Sequence, residues 1–436
     1  MHKPLLGSNL ELPRGMKDFD DDELFKIDYV KQKFTETAKL FGYRFMDPSP
    51  IELFSVLETK SGPAIKDDIY YFRDKHDREV GLRFDFTMGL TRWVVSQKSL
   101  KLPAKLASFG GVFRYDEPQK ARYRFFHQWN IEIFGKSSLA ADAELVEFTS
   151  RFFEKLNLKN IVIDINHRKL VEFFVKKTIS TIIPSVNEQD ISDAFRLLDK
   201  VQKKSETKLV EEYKERFSQP VIHQLIEFAS LKGNPHEIEQ KFSEIKEFQN
   251  WDELKELYFS LEERDLENIR INFGIVRGLD YYSDFVFEAF DTSLDIGALV
   301  GGGRYDSLPK AFGRDDLGAT GVAGGVERII LSLDKQGVLP PRQSQLISVL
   351  YATSEMQEEA TNLASQLRSE GISVVIDLAG RPLKKQIESA TNSKYAIIVG
   401  SKEFSEDKVV LRNMQDRTEK QILVDDLITN SKSILS

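Results

Sequence analysis

Along residues 20–41 the apolar positions Leu24, Ile27, Val30, Phe34 and Phe41 recur at helical spacing with charged residues between them, which predicts an amphipathic helix. Asp20, Asp21 and Asp22 stand at its start, where carboxylates complement the positive end of the helix dipole, and Gly42 ends it. Residues 45–54, with Pro48 and Pro50, read as an extended segment. The short apolar runs at 69–72 and 80–84 flank Lys75-His76-Asp77 and predict a hairpin, and a helix is expected to begin within residues 83–92 (RFDFTMGLTR). Residues 108–113 and 125–134 then predict a pair of antiparallel strands joined by a long cationic loop. On the second of these strands Trp129, Ile131 and Ile133 share one face, and Gln128, Asn130 and Glu132 share the other.

The pattern changes between residues 168 and 264, which are dense in Lys and Glu and show helical spacing in runs such as Ile191, Phe195, Leu198 and Val201. That segment predicts a helical insertion between strands, and no chemistry can be read from it. Strand pattern returns at 269–275 and 285–290, and Pro340-Pro341 marks a linker. Beyond it, short apolar strands at 346–351, 373–376 and 395–399 alternate with helical segments, predicting a small α/β domain that ends in a hairpin at 409–411 and 421–424. Such alternation alone fits any nucleotide-binding module.

Length and composition set limits on this picture. A chain of 436 residues is long enough for roughly two to four domains. The absence of cysteine excludes a disulfide framework or a Cys-ligated metal site, and the six histidines show no HExxH or close HxH spacing. No apolar run approaches the roughly 20 residues that span a bilayer, and the first residues (MHKPLLGSNLELPRG) have no signal-peptide core. A soluble, cytoplasmic chain with no membrane partner is expected. The net charge of −8 argues mildly against nucleic acid, but binding depends on local patches. Lys120, Arg122 and Arg124, and the cluster Arg381, Lys384 and Lys385, are candidates that read equally as solvated faces.

Candidate chemistry concentrates at residues 114–132 (RYDEPQKARYRFFHQWNIE) and 276–288 (VRGLDYYSDFVFE). The arginine fork stays charged and binds phosphate oxygens in pairs, so Arg114, Arg122 and Arg124 around a turn suit a polyphosphate, and Phe126 suits the face of a purine. The competing reading is a solvated charged hairpin. Against it stands the polar face of the second strand: a strand that buries one face should not gather a carboxylate and two amides on the other unless water or a ligand meets them. His127 alternates away from Gln128 and reads as structural.

These segments resemble the histidyl-tRNA synthetase family of class II aminoacyl-tRNA synthetases, and the resemblance runs nearly end to end. FRYDEPQKARYRFFHQ resembles the family's motif 2, RGLDYY with VFE its histidine-specific motif, and GGGRYD followed by GVERI its motif 3 region. Residues 45–54 resemble motif 1 at the dimer interface, departing from it in having Ser49 between two prolines. The resemblance implies an α+β fold: a catalytic domain of antiparallel sheet flanked by helices (1–167 and 265–338), a helical insertion (168–264) packed toward the tRNA acceptor arm, and an α/β anticodon-binding domain (345–436). It also implies ATP, Mg²⁺, L-histidine and tRNA(His) as ligands, and a homodimer.

Activating an amino acid requires its carboxylate to attack the α-phosphate of ATP, so fixed cations must offset the approach of like charges, and no protein nucleophile is needed. The resemblance assigns that catalytic work to Arg114 and Arg277, on opposite sides of the α-phosphate. It places Arg328 at the γ-phosphate, Arg122 on the phosphate tail, and Asp116 and Phe126 in the same ATP site. Asp85, Thr87 and Gln128 would orient the α-amino and carboxylate groups of histidine, with Arg277 beside them. Glu132 and Tyr282, with Tyr281 adjacent, would pair with the imidazole nitrogens, where a buried group left unpaired costs about 1–3 kcal/mol. Gly301, Gly302 and Gly303 would admit the substrate closely, with Arg304 and Tyr305 leading into the next helix. Asp85 reads equally as a helix N-cap, and the tyrosines as aromatic core. The runner-up is a synthetase-like regulatory subunit of ATP phosphoribosyltransferase; a stand-alone RNA-binding protein would leave the site residues unexplained.

Overall fold

The computed structural model describes residues 10–117, 123–181, 185–201, 203–276, 282–341 and 346–435. They divide into two units, Met1–Leu339 and Pro340–Ser436. The first is built on a nine-stranded sheet in the order Arg44–Phe45, Ala104–Phe113, Phe125–Gly135, Gly318–Gly325, Val300–Arg304, Phe285–Asp291, Ile161–His167, Ile269–Asn272 and Lys232–Gly233. Neighbours run antiparallel, except that Arg44–Phe45 lies parallel to Ala104–Phe113 and Ile161–His167 parallel to Ile269–Asn272. The alternation along Phe125–Gly135 sorts its side chains between two cores. Trp129, Ile131 and Ile133 join Phe34, Phe148 and Phe152 from the covering helices Asp21–Leu40 and Leu139–Lys155, while Phe134 faces Phe86, Leu106 and Tyr305.

Local chemistry sets where the elements begin. The Asp20 side chain accepts the Glu23 backbone N–H at 2.9 Å and caps the first helix. The helix expected to begin within 83–92 runs Thr87–Ser96, and the Asp85 carboxylate accepts the Met88 N–H at 3.2 Å just before it. The extended segment 45–54 resolves into the short strands Arg44–Phe45 and Ile51–Leu53, with a helix starting at Phe54. The strand expected over 269–275 stops at Asn272, because the Asn272 side chain accepts the Gly274 N–H at 2.9 Å and turns the chain.

Residues 168–264 form the helices Arg168–Ser180, Glu188–Lys200, Glu206–Tyr213, Gln219–Ser230, Pro235–Lys241 and Trp251–Glu262. This insertion is not a detached bundle. Leu197, Leu225, Phe228 and Trp251 belong to the same core as the sheet, and Phe228 stacks on Phe273 at 4.6 Å.

The second unit has a five-stranded sheet in the order Val374–Ile376, Ile347–Tyr351, Tyr395–Val399, Lys408–Asn413 and Glu419–Leu423. The first three are parallel and the last two form the terminal hairpin. Val349, Leu363, Ile397 and Val409 lie in its own core.

Candidate active site

A cavity of about 750 Å³ opens over the middle of the large sheet, a size that accommodates small ligands. Arg114, Phe126 and Gln128 reach it from the central hairpin, Asp85 and Thr87 from the start of the Thr87–Ser96 helix, and Glu327 and Arg328 from the start of Val326–Gln336. Asp116, Tyr282, Glu288 and Gly301 also stand on its wall. Asp85, Thr87, Arg114, Asp116, Phe126, Gln128, Tyr282 and Arg328 were all expected there. Arg122, Arg277 and Tyr281 lie outside the described residues, as does Lys120.

The polar strand face predicted to need a partner is linked by hydrogen bonds among its own side chains, and Gln128 on it lines the cavity. Arg114 donates to the Phe84 carbonyl at 3.1 Å and to the Gln128 carbonyl oxygen at 3.2 Å, with its guanidinium 5.1 Å from the Phe126 ring centre. Gln128 donates to Asn130 at 2.7 Å, and Asn130 to Glu132 at 3.1 Å. Thr87 donates to the same Glu132 oxygen at 2.7 Å, and the Tyr305 hydroxyl donates to the other. A continuous line of hydrogen bonds thus links the Arg114 guanidinium to the Glu132 carboxylate.

Glu132 differs from expectation in one respect. It is 1 % exposed and lies behind Thr87, off the cavity wall. A buried carboxylate must have its oxygens met, and here Thr87, Asn130 and Tyr305 meet them. Burial pushes its pKa up to about 7 against the pull of those hydrogen bonds, and the nearby Asp85 charge adds to the rise.

Gly321, Asp199 and Lys203 left no readable sign in the sequence, while other neighbours of the site take places the sequence only partly indicated. Gly321 pairs with Glu132 across the sheet, and a Cβ there would fall 1.5 Å from Glu132 Oε2, so the carboxylate occupies space only glycine leaves. The glycine run is a strand, Val300–Arg304, and the next helix starts only at Ser307. Gly301 lines the cavity, but a Cβ on Gly302 would lie 2.6 Å from the Gly321 carbonyl, so its small size serves strand packing as well. Arg304 binds Asp142 and donates to Glu253 at 3.3 Å, which ties the insertion to this strand. His127 is structural: its backbone N–H donates to both Glu327 oxygens at 2.9 and 3.1 Å, and its Nδ1 lies 3.0 Å from one of them, so it orients a carboxylate on the cavity wall. Asp199 and Lys203, from the insertion, also reach the cavity.

An antiparallel sheet that presents an arginine-bearing hairpin and a glycine strand to one central cavity is the catalytic architecture of class II aminoacyl-tRNA synthetases. Within that class the chain belongs to the histidyl-tRNA synthetase family, whose model matches residues 15–329. An anticodon binding domain model matches residues 340–433. Among similar proteins, the histidine–tRNA ligase of Pyrococcus furiosus is 31% identical over 437 residues, covering 98% of this chain and 99% of the relative. That of Pyrobaculum islandicum is 32% identical over 413 residues, covering 93% and 94%. In fold, the crystal structure of histidyl-tRNA synthetase from Nostoc sp. superposes with a TM-score of 0.77 at 24% identity, over 98% of this chain and 99% of that one. A Bacillus halodurans structure described as an ATP phosphoribosyltransferase regulatory subunit/histidyl-tRNA synthetase gives 0.73 at 23% identity, over 92% and 100%.

Proposed function

We propose that this protein is a histidine–tRNA ligase, which activates L-histidine with ATP to histidyl-adenylate and transfers the histidyl group to the 3′ end of tRNA(His), releasing AMP and diphosphate. The observation that carries this reading is the hydrogen-bonded line that starts at Arg114 and Gln128 on the cavity wall and runs behind it through Asn130 to Glu132. It sets a phosphate-binding cation and an imidazole-matching carboxylate at a fixed separation on one rigid strand pair, so that activation rests on positioning and electrostatics.

In this reading Asp85, Thr87 and Gln128 hold the α-amino and carboxylate groups of histidine. Tyr282 and Glu132 take the imidazole, Glu132 being approached past Thr87. Arg114 and Arg277 offset the charge that builds on the α-phosphate, with Phe126 against the adenine and Arg328, Arg122 and Asp116 along the nucleotide. Tyr281 supports Tyr282, and Arg277 also contacts histidine. No group of three metal-ligating side chains occurs among the described residues. In this reading Mg²⁺ arrives bound to ATP, where it would neutralise phosphate charge. The Pro340–Ser436 unit would read the anticodon. Phe45, Ile51 and Leu53, each nearly half exposed on the motif 1 segment, fit a homodimer surface, and sedimentation would test that. No helix among the described residues is long and apolar enough to cross a membrane.

The decisive experiment is amino-acid-dependent ATP–pyrophosphate exchange by the purified chain without tRNA, histidine against the other amino acids. Exchange with histidine alone is expected. Arg277→Ala should lower it by about 100-fold or more, the scale of losing one transition-state contact; near wild-type exchange would remove Arg277 from catalysis. A folded protein that binds histidine without exchange would instead be the regulatory kind of paralogue.

A further inference from the structure

Two side chains of the insertion reach the substrate cavity although their segment carries no motif. Asp199 lies near the C-terminal end of the Glu188–Lys200 helix and Lys203 just beyond it, and both stand on the cavity wall with Arg114 and Arg328. Lys203 Nζ is 2.7 Å from Asp199 Oδ2. The neighbouring lysines are engaged differently, since Lys200 and Lys204 both bind Glu212. A helix C-terminus favours cations in general, but that preference does not explain why one of the three faces the cavity.

A site for a nucleotide must offset phosphate charge. Among the described residues the wall carries Arg114, Lys203 and Arg328 against Asp85, Asp116, Asp199, Glu288, Asp295 and Glu327. Arg114 is braced by Phe84 and Gln128, and Arg328 donates to the Ala298 carbonyl at 2.7 Å. Lys203 is different in kind: its side chain is 65% exposed and flexible, so its ammonium can leave Asp199 for an incoming phosphate at little cost.

We propose that Lys203 is a phosphate-binding residue of this cavity, supplied by the insertion, with Asp199 holding its ammonium at the wall until a nucleotide phosphate arrives. This rests on the reading of the cavity as the ATP site. The phosphate can come from the triphosphate of ATP or from the terminal phosphodiesters of a tRNA 3′ end.

The test compares the full-length protein with Lys203→Ala and Lys203→Arg in equilibrium binding of Mg-ATP, in histidine-dependent exchange, and in aminoacylation at varied tRNA concentration. Lys203→Ala should weaken ATP binding and raise KM for ATP by about fivefold, the scale of a partly exposed ion pair. KM for histidine should be unchanged, Lys203→Arg should restore binding, and the difference should shrink as salt is raised. If ATP binding is unchanged while KM for tRNA rises, the inference holds with tRNA as the phosphate source. If ATP binding, exchange and the tRNA dependence are all unchanged, Lys203 is only a helix-end ion-pair partner and the inference fails. A wild-type chain that shows no exchange but binds ATP with the same dependence on Lys203 would overturn the activation reading and leave the role of Lys203 standing.

Discussion

At the scale of single residues, the proposed histidine pocket turns on Glu132. With burial raising its pKa to about 7, the carboxylate would gain the ability to accept an imidazole N–H as pH rises through neutrality. KM for histidine in the exchange reaction should therefore fall between about pH 6 and pH 8. Glu132→Gln should flatten that profile, leaving only the contribution of the substrate's own imidazole, which titrates near 6.5. Stability carries the opposite sign. The native state holds this proton where the unfolded chain, with the ordinary value of 4.5, has released it. Unfolding therefore becomes easier as pH rises from about 4.5 to about 7. Urea unfolding of Glu132→Gln across that window should show a smaller decline than the wild type.

Among elements, the site depends on how closely two strands and one helix are held. Gly318–Gly325 packs against Phe125–Gly135 with no room for a Cβ at Gly321. Gly321→Ala must displace the Glu132 carboxylate from Tyr305 or part the strands, and it should cost about 1–3 kcal/mol or more in thermal or urea unfolding. Histidine-dependent exchange should fall with it. The helix bearing Thr87 is also held at mid-length by Arg92, which donates twice to the buried Glu52 carboxylate at 2.8 and 2.7 Å. Arg92→Ala strands that carboxylate, 6 % exposed on the Ile51–Leu53 strand, without its cation. A loss of about 1–3 kcal/mol is expected, less than for a fully buried pair because Arg92 is itself a third exposed. Arg92→Lys should recover only part of it, since lysine lacks the two-pronged fork.

For the whole molecule, the two units have separate cores: the two on either face of the large sheet in the first, and one built from Val349, Leu363, Ile397 and Val409 in the second. A fragment of residues 340–436 should fold alone and melt in a single cooperative transition by circular dichroism. Residues 1–339 should keep histidine-dependent exchange and lose efficient aminoacylation, because the proposed activation site lies on the large sheet and the anticodon binding domain in the second unit. A fragment 340–436 without a cooperative transition would show that its core depends on the rest of the chain. The insertion is expected to behave differently, since Phe228 and Trp251 share the core of the sheet. Its excision should unfold the first unit.

Sequence by itself determined what rests on local periodicity and side-chain type. The two-residue alternation of Trp129, Ile131 and Ile133 settled which residues of the central strand share one apolar core, and the three-to-four spacing of Ile27, Val30 and Phe34 settled the first helix. Arg114, Gln128, Tyr282 and Arg328 were legible as candidates because their chemistry is intrinsic to the side chain, and they line one cavity. Three-dimensional packing decided what depends on distance between residues far apart in the chain. That Glu132 is held by Tyr305 from 173 positions away, that Gly321 makes its space, and that Lys203 of a motif-free helical segment comes to the substrate cavity follow from sheet order and helix docking. No local pattern encodes these, because such contacts arise only when separate elements bury their apolar faces in one core.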